Sequence, residues 1–388
     1  MNLQTIVDTN QDFLQGTPTV YFSPGRVNLI GEYIDFLGGS VFPSAITLGT
    51  YAFVTKRTDN EIHFLSENFK EFGKKVVTLE DLSYLKSDNW TNYCKGMFDA
   101  LIKRGTKIDH GLNILIFGTL PNSSGLSSSA SLEVLIGTVI KDIYGSDVEM
   151  FEMVQIAQKV ENNFIGVNCG IMDQFSVGMS KKDTAILLNT NSLEYQYIPL
   201  ILGEYTLVIA NTNKKRALAE SKYNERRSEC DTGLEILQSK GIEIDNLCSL
   251  TIEQYEENKK QIKNLTIRNR VEHAVYENIR TLEAVEALKR GNLVLMGSLM
   301  NQSHDSLRDL YEVSCRELDI LVDYFRMNGA IGARMTGAGF GGCAIALVPT
   351  KDVDAVIQKV RKGYLDKIGY NADFYPVSTS DGTKKIEL

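Results

Sequence analysis

The chain has 388 residues, a net charge of -8 and a pI of about 5.3, and this acidic balance argues against general nucleic-acid binding. Its hydrophobic content of 43% and charged content of 23% are ordinary for a globular protein, and the length favours two domains. No apolar run is long enough to span a bilayer, and the first nine residues lack a signal-peptide pattern. Six scattered cysteines indicate reduced thiols in a cytoplasmic protein. Because no symmetric apolar patch is visible, we expect a monomer.

Hydrophobic periodicity predicts a mixture of strands and helices along the chain. In the first half we expect strands at Thr50–Lys56 and Gly111–Phe117, and helices over 126–144 and 147–165. For the second half the pattern predicts a strand at 205–211, helices over 214–239, 268–290, 291–304 and 315–328, a strand pair around 332–348, a helix over 353–368 and a strand at 373–378. This mixture indicates α/β or α+β layers, with a domain boundary near residue 200.

A segment that mixes charge with glycine, Ser23–Gly39, lies near a strand end and suits a polar ligand. Its carboxylates, Glu32 and Asp35, could each accept two hydrogen bonds from hydroxyl groups, which is how carboxylates bind sugars. The same residues also fit a turn whose charges face water. Taken alone, the segment favours that second interpretation.

The serine-rich stretch Pro121–Ser131 joins a predicted strand to a predicted helix. The helix N-terminus offers unpaired N–H groups and a partial positive charge, which suit a phosphate. Small side chains would let the backbone approach the phosphate oxygens. The stretch is not a Walker A loop, because no Gly-Lys-Ser/Thr follows it. A serine-rich turn with a capping serine explains the same residues equally well.

Two carboxylates follow in the next predicted helix and just beyond it. Glu161 lies one turn after Ala157, beside an apolar stripe, where a buried carboxylate needs a metal ion or a lysine as its partner. Asp173 lies between Met172 and Phe175, an apolar setting that can hold a carboxylate in a defined geometry. A helix-capping aspartate is the alternative interpretation of Asp173.

The run Gly337–Gly342 fits the pattern G-x-G-x-x-G, which also occurs in dinucleotide-binding sites. That fingerprint requires a strand before the glycines and a helix after them. Here the residues that follow, Cys343–Val348, indicate a strand. The sequence therefore predicts a glycine-rich hairpin that lets the backbone approach a ligand closely.

Together these segments resemble the motifs of the GHMP small-molecule kinases, and in detail they resemble the galactokinases. The resemblance extends from residue 20 to the end and is carried by Gly25–Asp35, Gly125–Ser131, Asn168–Gln174, Ser221–Arg227, Ser303–Arg308, Tyr311–Cys315 and Thr336–Cys343. It implies a two-domain GHMP kinase fold with the active site in the cleft between the domains. Residues 1–200 would form an α/β domain like domain 2 of ribosomal protein S5. Residues 201–388 would form a ferredoxin-like domain, whose final strand could return to the first.

The resemblance also implies an activity, ATP-dependent phosphorylation of D-galactose at its C1 hydroxyl. Asp173 would be the catalytic base, although it could mainly orient the hydroxyl, and Arg26 would offset charge at the reacting centre. Mg²⁺ would be held by Ser129 and Glu161, because hard oxygen ligands suit this ion. The sugar would be held by Glu32, Tyr33, Ile34, Asp35 and Tyr223. The ATP phosphates would lie on Ser123, Ser124, Gly125, Leu126, Ser127, Ser128 and Ser129, with Ser66 as a further nucleotide contact.

Three positions depart from the galactokinase pattern. Tyr33 replaces a histidine that touches the sugar near C6, Phe36 replaces a tyrosine, and Ser123 stands where glycine is common. Tyr33 therefore predicts either altered discrimination at C6 or a higher KM for galactose, and a tolerated change in the pocket wall is the alternative. Two other functions stay open: a kinase of a related sugar altered at C6 or C2, and a non-catalytic sensor of galactose and ATP. The intact motifs argue against the sensor.

Overall fold

The computed structural model of the chain describes residues 2–121, 125–214 and 219–388. Within these ranges the strands are β1 (Thr19–Asn28), β2 (Ser40–Val41), β3 (Pro43–Lys56), β4 (Glu61–Ser66), β5 (Lys75–Thr78), β6 (Leu112–Gly118), β7 (Thr184–Asn189), β8 (Tyr195–Pro199), β9 (Tyr205–Asn211), β10 (Gly332–Thr336), β11 (Cys343–Pro349), β12 (Asp373–Val377) and β13 (Lys384–Ile386). The helices are α1 (Leu3–Thr9), α2 (Gln11–Leu14), α3 (Thr91–Arg104), α4 (Ser128–Tyr144), α5 (Met150–Val160), α6 (Met172–Met179), α7 (Ala219–Ser239), α8 (Ile252–Asn258), α9 (Leu265–Lys289), α10 (Leu293–Asp309), α11 (Arg316–Met327) and α12 (Val353–Ile368).

Three sheets organise the strands. The largest has the order β13-β1-β3-β6-β4-β5, in which only β4 and β6 run parallel within the described residues. A four-stranded sheet has the order β10-β11-β9-β12, and a small sheet has the order β2-β7-β8. The final strand pairs with β1, with Ile386 opposite Val20. The predicted boundary near residue 200 falls between β8 and β9, and it stays a prediction.

Most of the predicted elements are confirmed. The strand at 205–211 and the helix over 353–368 have the predicted bounds. Helix α4 ends as expected at Gly145, which adopts a left-handed φ of +67°. The helix predicted over 147–165 is instead α5 followed by a π-helical turn, Glu161–Ile165. A turn of this kind is frequent at functional sites.

Strand β1 was not predicted, and its sequence explains why. Pro24 and Gly25 lie in its middle, and both residues argue against a central strand. The strand accommodates them with a shift of register between these two residues. Gly25 is needed there, because a side-chain carbon would lie 2.8 Å from the carbonyl oxygen of Leu126.

The core continues across the two halves of the chain. Helices α3, α4, α5 and α6 pack together, and α4 and α6 also pack on β1 and β3. A second cluster joins Val27 and Leu29 to Ala284, Met296 and Cys343. The end of β1 is therefore held between both halves. In the part of the chain that the structure describes, no helix is both long and apolar enough to pass through a membrane.

Candidate active site

The end of β1 meets two loops, the serine-rich loop within Pro121–Ser131 and the glycine-rich loop at Gly337–Gly342. Arg26 Nη1 donates a hydrogen bond to the carbonyl oxygen of Gly125 at 2.7 Å, and the Arg26 N–H donates to Leu126 O at 3.2 Å. From the other side Gly337 packs against Gly125 so closely that a side-chain carbon would overlap its carbonyl oxygen. Gly337 has a φ of +79°, which also favours glycine. The strand end, the serine-rich loop and the glycine-rich loop are thus in direct contact.

Arg26 also forms an ion pair with Asp173. Its Nε and Nη2 atoms lie 2.8 and 2.6 Å from Asp173 Oδ1. The Arg26 side chain is 3% exposed, whereas that of Asp173 is 30% exposed, so the carboxylate faces the open side of the pair. Asp173 is the second residue of α6 and the N-cap is Ile171, so the capping interpretation is wrong. An accessible carboxylate beside a fixed cation can accept a proton or orient a hydroxyl group.

The segment between β1 and β2, residues 29–39, is here called the β1–β2 loop. Its Glu32 is 2% exposed and is held from the second half of the chain. Arg334 Nη2 donates to Glu32 Oε2 at 2.7 Å, and the N–H of Gly337 donates to Oε1 at 2.9 Å. The interpretation of this segment as a turn with water-facing charges is therefore wrong for Glu32 and Arg26, both of which are buried.

Tyr33 links the β1–β2 loop to the glycine-rich loop. Its hydroxyl donates to the carbonyl oxygen of Ala338 at 2.5 Å, and its side chain is buried. Its ring centroid lies 5.2 Å from that of Tyr223 on α7 and 4.8 Å from that of Tyr311. The backbone at Tyr33 has a left-handed φ of +63°, which is costly for a residue with a side chain. Tyr33, which stands where the galactokinase pattern has histidine, is therefore part of an aromatic wall.

Asp35 lies where the β1–β2 loop meets the segment before α6. It accepts a hydrogen bond from the N–H of Met172, and a side chain at Gly170 would overlap its carboxylate. Burial, with the charges of Asp173 and Glu32, raises its pKa to about 7. Asp35 also lines a cleft of about 350 Å³, whose polar residues include Gln158, Asn162, Asn191 and Arg227. Its neighbour Ile34 is fully buried, and its predicted contact with the sugar stays a prediction.

The serine-rich loop leads into α4 with an unusual backbone. Ser127, the residue before the helix, is buried and has a left-handed φ of +62°, and its side chain makes no capping hydrogen bond. The capping interpretation is therefore not realised at this residue. Leu126 is buried, Ser128 is exposed and Ser129 is half-buried. Ser123 and Ser124 lie outside the described residues.

Ser66, the predicted further nucleotide contact, lies on β4. It is the last residue of β4 and pairs with Ile116 of β6, the strand that leads towards the serine-rich loop. Its side chain is buried. Its role as a nucleotide contact stays a prediction.

Glu161 belongs to a buried group that we call the carboxylate cluster, formed by Glu133, Glu161 and Gln174. Gln174 Nε2 donates to Glu161 Oε2 at 2.5 Å and to Glu133 Oε2 at 3.2 Å. The Ser129 hydroxyl also donates to Glu161, so the predicted pair lies together. Burial, with the charge of Asp173, raises the pKa of Glu161 to about 7, and burial beside Glu161 raises that of Glu133. Among the described residues, no three His, Cys, Asp or Glu side chains form a metal-binding group.

The sequence did not indicate several buried residues that hold the site residues in place. His273, Glu277 and Arg334, which we call the loop anchor, are fully buried and contact the backbone or side chains of residues 28–32. Gln174 stood in a matched motif beside Asp173, and Glu133 lies next to the apolar positions of α4. The neighbours of Gln174 and Glu133 in the sequence could therefore have pointed to them. Nothing near the three loop-anchor residues in the sequence indicates their contacts.

Comparisons with known proteins agree with this geometry over the whole chain. The chain matches the GHMP kinases N terminal domain over residues 92–181, the GHMP kinases C terminal domain over 284–366 and the galactokinase galactose-binding signature over 10–56. It is 54% identical to a galactokinase of Enterococcus faecalis, covering 94% of this chain and 95% of that one. It is 52% identical to a galactokinase of Clostridium beijerinckii, covering 98% and 97% of the two chains.

Solved structures agree on the fold. The Lactococcus lactis galactokinase complexed with galactose superposes with a TM-score of 0.96 at 44% identity, covering 99% of this chain and 100% of that one. The Methanococcus jannaschii mevalonate kinase superposes with a TM-score of 0.68 at 20% identity, covering 95% and 100%, which shows a shared fold alone. The predicted two-domain GHMP kinase fold is confirmed.

Proposed function

We propose that this chain, which belongs to the galactokinase family of the GHMP kinases, transfers the γ-phosphoryl group of ATP to the C1 hydroxyl of D-galactose. The products are α-D-galactose 1-phosphate and ADP. One observation carries the proposal: Arg26 joins the accessible Asp173 to Gly125 of the serine-rich loop, so a proton acceptor and a phosphate-binding backbone lie on either side of one cation. Phosphoryl transfer requires this kind of positioning and charge stabilisation more than covalent chemistry.

In this proposal the sugar lies against the β1–β2 loop. Asp35 accepts hydrogen bonds from sugar hydroxyl groups, and Tyr33 and Tyr223 form an aromatic wall beside it. Glu32 adds a carboxylate that Arg334 and Gly337 already hold in place. Ile34 contributes through its backbone. Asp173 then faces the C1 hydroxyl and accepts its proton or orients it.

The nucleotide phosphates lie on the serine-rich loop and the first turn of α4. The proposed contacts are Ser123, Ser124, Gly125, Leu126, Ser127, Ser128 and Ser129, with Ser66 as a further contact. Unpaired N–H groups at the start of α4 and small side chains support this assignment. Arg26 reaches both the loop and Asp173, so it offsets the negative charge that both substrates bring to the centre.

The charges around Glu161 fit a bound Mg²⁺. Glu133, Glu161 and Asp173 lie close together, and Arg26 contacts this group through Asp173. Ser129 and Glu161 present hard oxygen ligands, and Mg²⁺ commonly uses one or two such ligands together with substrate phosphates. When bound, the ion would neutralise charge on the phosphate oxygens.

Because Tyr33 departs from the galactokinase pattern, a related sugar is the alternative substrate. Because the Tyr33 hydroxyl donates to Ala338, that hydrogen is engaged within the protein and does not replace a donor to the sugar. We therefore propose that contacts near C6 are weaker than in galactokinases with histidine at this position. A preference for a sugar altered at C6 would follow from the same change.

We further propose that the enzyme works as a monomer in the cytoplasm. All six cysteines are free thiols, which suits a reducing compartment.

An ADP-release assay with Mg-ATP tests the proposed function directly. The panel is galactose, 2-deoxygalactose, N-acetylgalactosamine, galacturonate, glucose and no sugar. We expect turnover that depends on sugar and is fastest with galactose. Turnover with another member alone would move the substrate and keep the mechanism. Sugar binding without turnover would favour the sensor.

A further inference from the structure

Two consecutive N–H groups of the β1–β2 loop point at one carboxylate oxygen from the second half of the chain. Glu277 Oε1, on α9, accepts hydrogen bonds from the N–H groups of Gly31 at 3.1 Å and Glu32 at 3.3 Å. Ser303 Oγ donates to the same oxygen at 2.5 Å, and Arg280 Nε donates to Oε2 at 2.8 Å. Glu277 is fully buried, so its contacts lie inside the protein.

Glu277 holds the β1–β2 loop in a backbone conformation that is unfavourable for residues with a side chain. Gly31 has a φ of +97° and Tyr33 a φ of +63°. The left-handed conformation costs free energy for a residue with a side chain such as Tyr33. A side-chain carbon at Gly31 would also lie 2.8 Å from Ser40 O and 2.9 Å from Thr281 Oγ1. The loop therefore needs support from outside itself.

His273, one turn before Glu277 on α9, supports the same loop through a carbonyl group. Its Nε2 lies 3.1 Å from the carbonyl oxygen of Glu32, and its Nδ1 lies 2.8 Å from Ser306 Oγ. Because a carbonyl oxygen only accepts, Nε2 must donate to it. One face of α9 thus satisfies both the N–H and the C=O of Glu32.

We infer that Glu277 is a positioning residue for the sugar, because it fixes the backbone at residues 31 and 32, directly before Tyr33 and Asp35 of the same loop. The inference rests on the proposed function, in which the β1–β2 loop binds the sugar. The proposed nucleotide contacts lie on the serine-rich loop, which Arg26 holds instead. Loss of Glu277 therefore weakens sugar binding and leaves nucleotide binding nearly unchanged.

The variant Glu277→Gln tests this with little change of shape. A carboxamide has a single oxygen, so it cannot accept from both Arg280 and the N–H pair of the loop. We expect the KM for galactose to rise about tenfold or more and the KM for Mg-ATP to change less than about twofold. The matched control is Asp88→Asn, which removes the carboxylate partner of the buried Lys95 away from the loop. Asp88→Asn should lower the melting temperature, and it should not raise the KM for galactose relative to the KM for Mg-ATP.

His273→Phe provides a second variant that keeps the Glu277–Arg280 pair. Removing its donor to Glu32 should also raise the KM for galactose more than the KM for Mg-ATP. If Glu277→Gln does not fold, this variant tests the inference in its place. Equal changes in both KM values, or no change in either, would overturn the inference while the wild-type protein still turned over galactose. A wild-type protein without sugar-dependent turnover would instead show that the proposed function has failed.

Discussion

Glu277 and Glu161 are both buried carboxylates near the candidate active site, but their surroundings differ. Glu277 contacts Arg280, two N–H groups and a hydroxyl. Burial acts to raise its pKa, yet the charges of Arg280 and Arg334 outweigh burial, and its pKa is lowered to about 2. Glu161 receives hydrogen bonds from neutral groups, lies beside Glu133, and its pKa is raised to about 7.

The difference separates a carboxylate whose charge is balanced within the protein from one that the proposed function makes a metal ligand. A buried charge with enough partners stabilises one conformation, and removing a partner leaves an uncompensated charge. A buried carboxylate that no described cation contacts, as at Glu161, is destabilising by itself, and such groups are common where function requires them. The loop anchor therefore belongs to the first kind and the carboxylate cluster to the second.

The largest effect that this comparison predicts is on the reaction beside the carboxylate cluster. We expect Asp173→Asn to lower kcat about 10²- to 10⁴-fold, because an amide cannot take the proton of the C1 hydroxyl. Steady-state kinetics measure kcat, and calorimetry measures galactose binding, which should be nearly unchanged. A loss below about tenfold would show that Asp173 mainly orients the hydroxyl.

Glu161→Gln tests whether Glu161 awaits a cation. We expect kcat to fall on the order of 100-fold and the affinity for Mn²⁺, followed by electron paramagnetic resonance in the presence of ADP, to fall with it. The melting temperature without metal should not fall, because an unbalanced buried charge is removed. Glu152→Gln, which changes a more exposed carboxylate on α5, is the control. Unchanged Mn²⁺ affinity in Glu161→Gln would contradict the proposed ligand.

His273 provides a test of the loop anchor by pH. Burial lowers its pKa from 6.5 to about 4, so between these values the unfolded chain binds a proton at this residue and the folded protein does not. The contribution of His273 to the free energy of unfolding should therefore fall by about 3 kcal/mol as the pH drops from 6.5 to 4, while the raised pKa values of Asp35 and Glu161 act in the opposite direction over this range. Urea unfolding of the wild type and of His273→Phe at several pH values isolates this contribution, because the variant keeps Asp35 and Glu161. The wild type should lose about 3 kcal/mol of unfolding free energy relative to the variant over this range, and equal slopes in both proteins would count against the lowered pKa.

The smallest predicted effect is at Tyr33, whose hydroxyl joins the β1–β2 loop to the glycine-rich loop. Tyr33→Phe removes the hydrogen bond to Ala338, so we expect kcat/KM for galactose to fall about two- to fivefold. Tyr33→His should raise the ratio of kcat/KM for galactose to that for 6-deoxygalactose by a similar factor. If neither variant changes that ratio, Tyr33 is a tolerated residue of the pocket wall.

The sequence predicted elements whose signals are local and missed contacts that cross the chain. Helix α12 and strand β9 follow from periodicity, and the glycine-rich hairpin follows from the strand after it. The proximity of Ser129 and Glu161 was predicted through the family resemblance. In contrast, Glu277 reaches residue 31 from 246 positions away, and nothing in its helical surroundings indicates this partner.

The left-handed backbone at Tyr33 and Ser127 could not be predicted either. Neither residue is glycine or asparagine, which favour that conformation. Tertiary contacts impose it, and local sequence does not encode those contacts. These residues belong to two of the loops that meet at the candidate site, where such strain is expected to concentrate.

The pairing of β13 with β1 has a consequence for the order of synthesis. Residues 384–386 pair with 20–22, and Ser23 Oγ lies 2.8 Å from Thr383 Oγ1. During translation the outer edge of β1 therefore stays without its native neighbour until residues 384–386 have been added. The strand that carries Arg26 is exposed for most of that time, and an unpaired strand edge is a template for association with other chains. Until β13 pairs, the edge of β1 at residues 20–22 can therefore take part in such association.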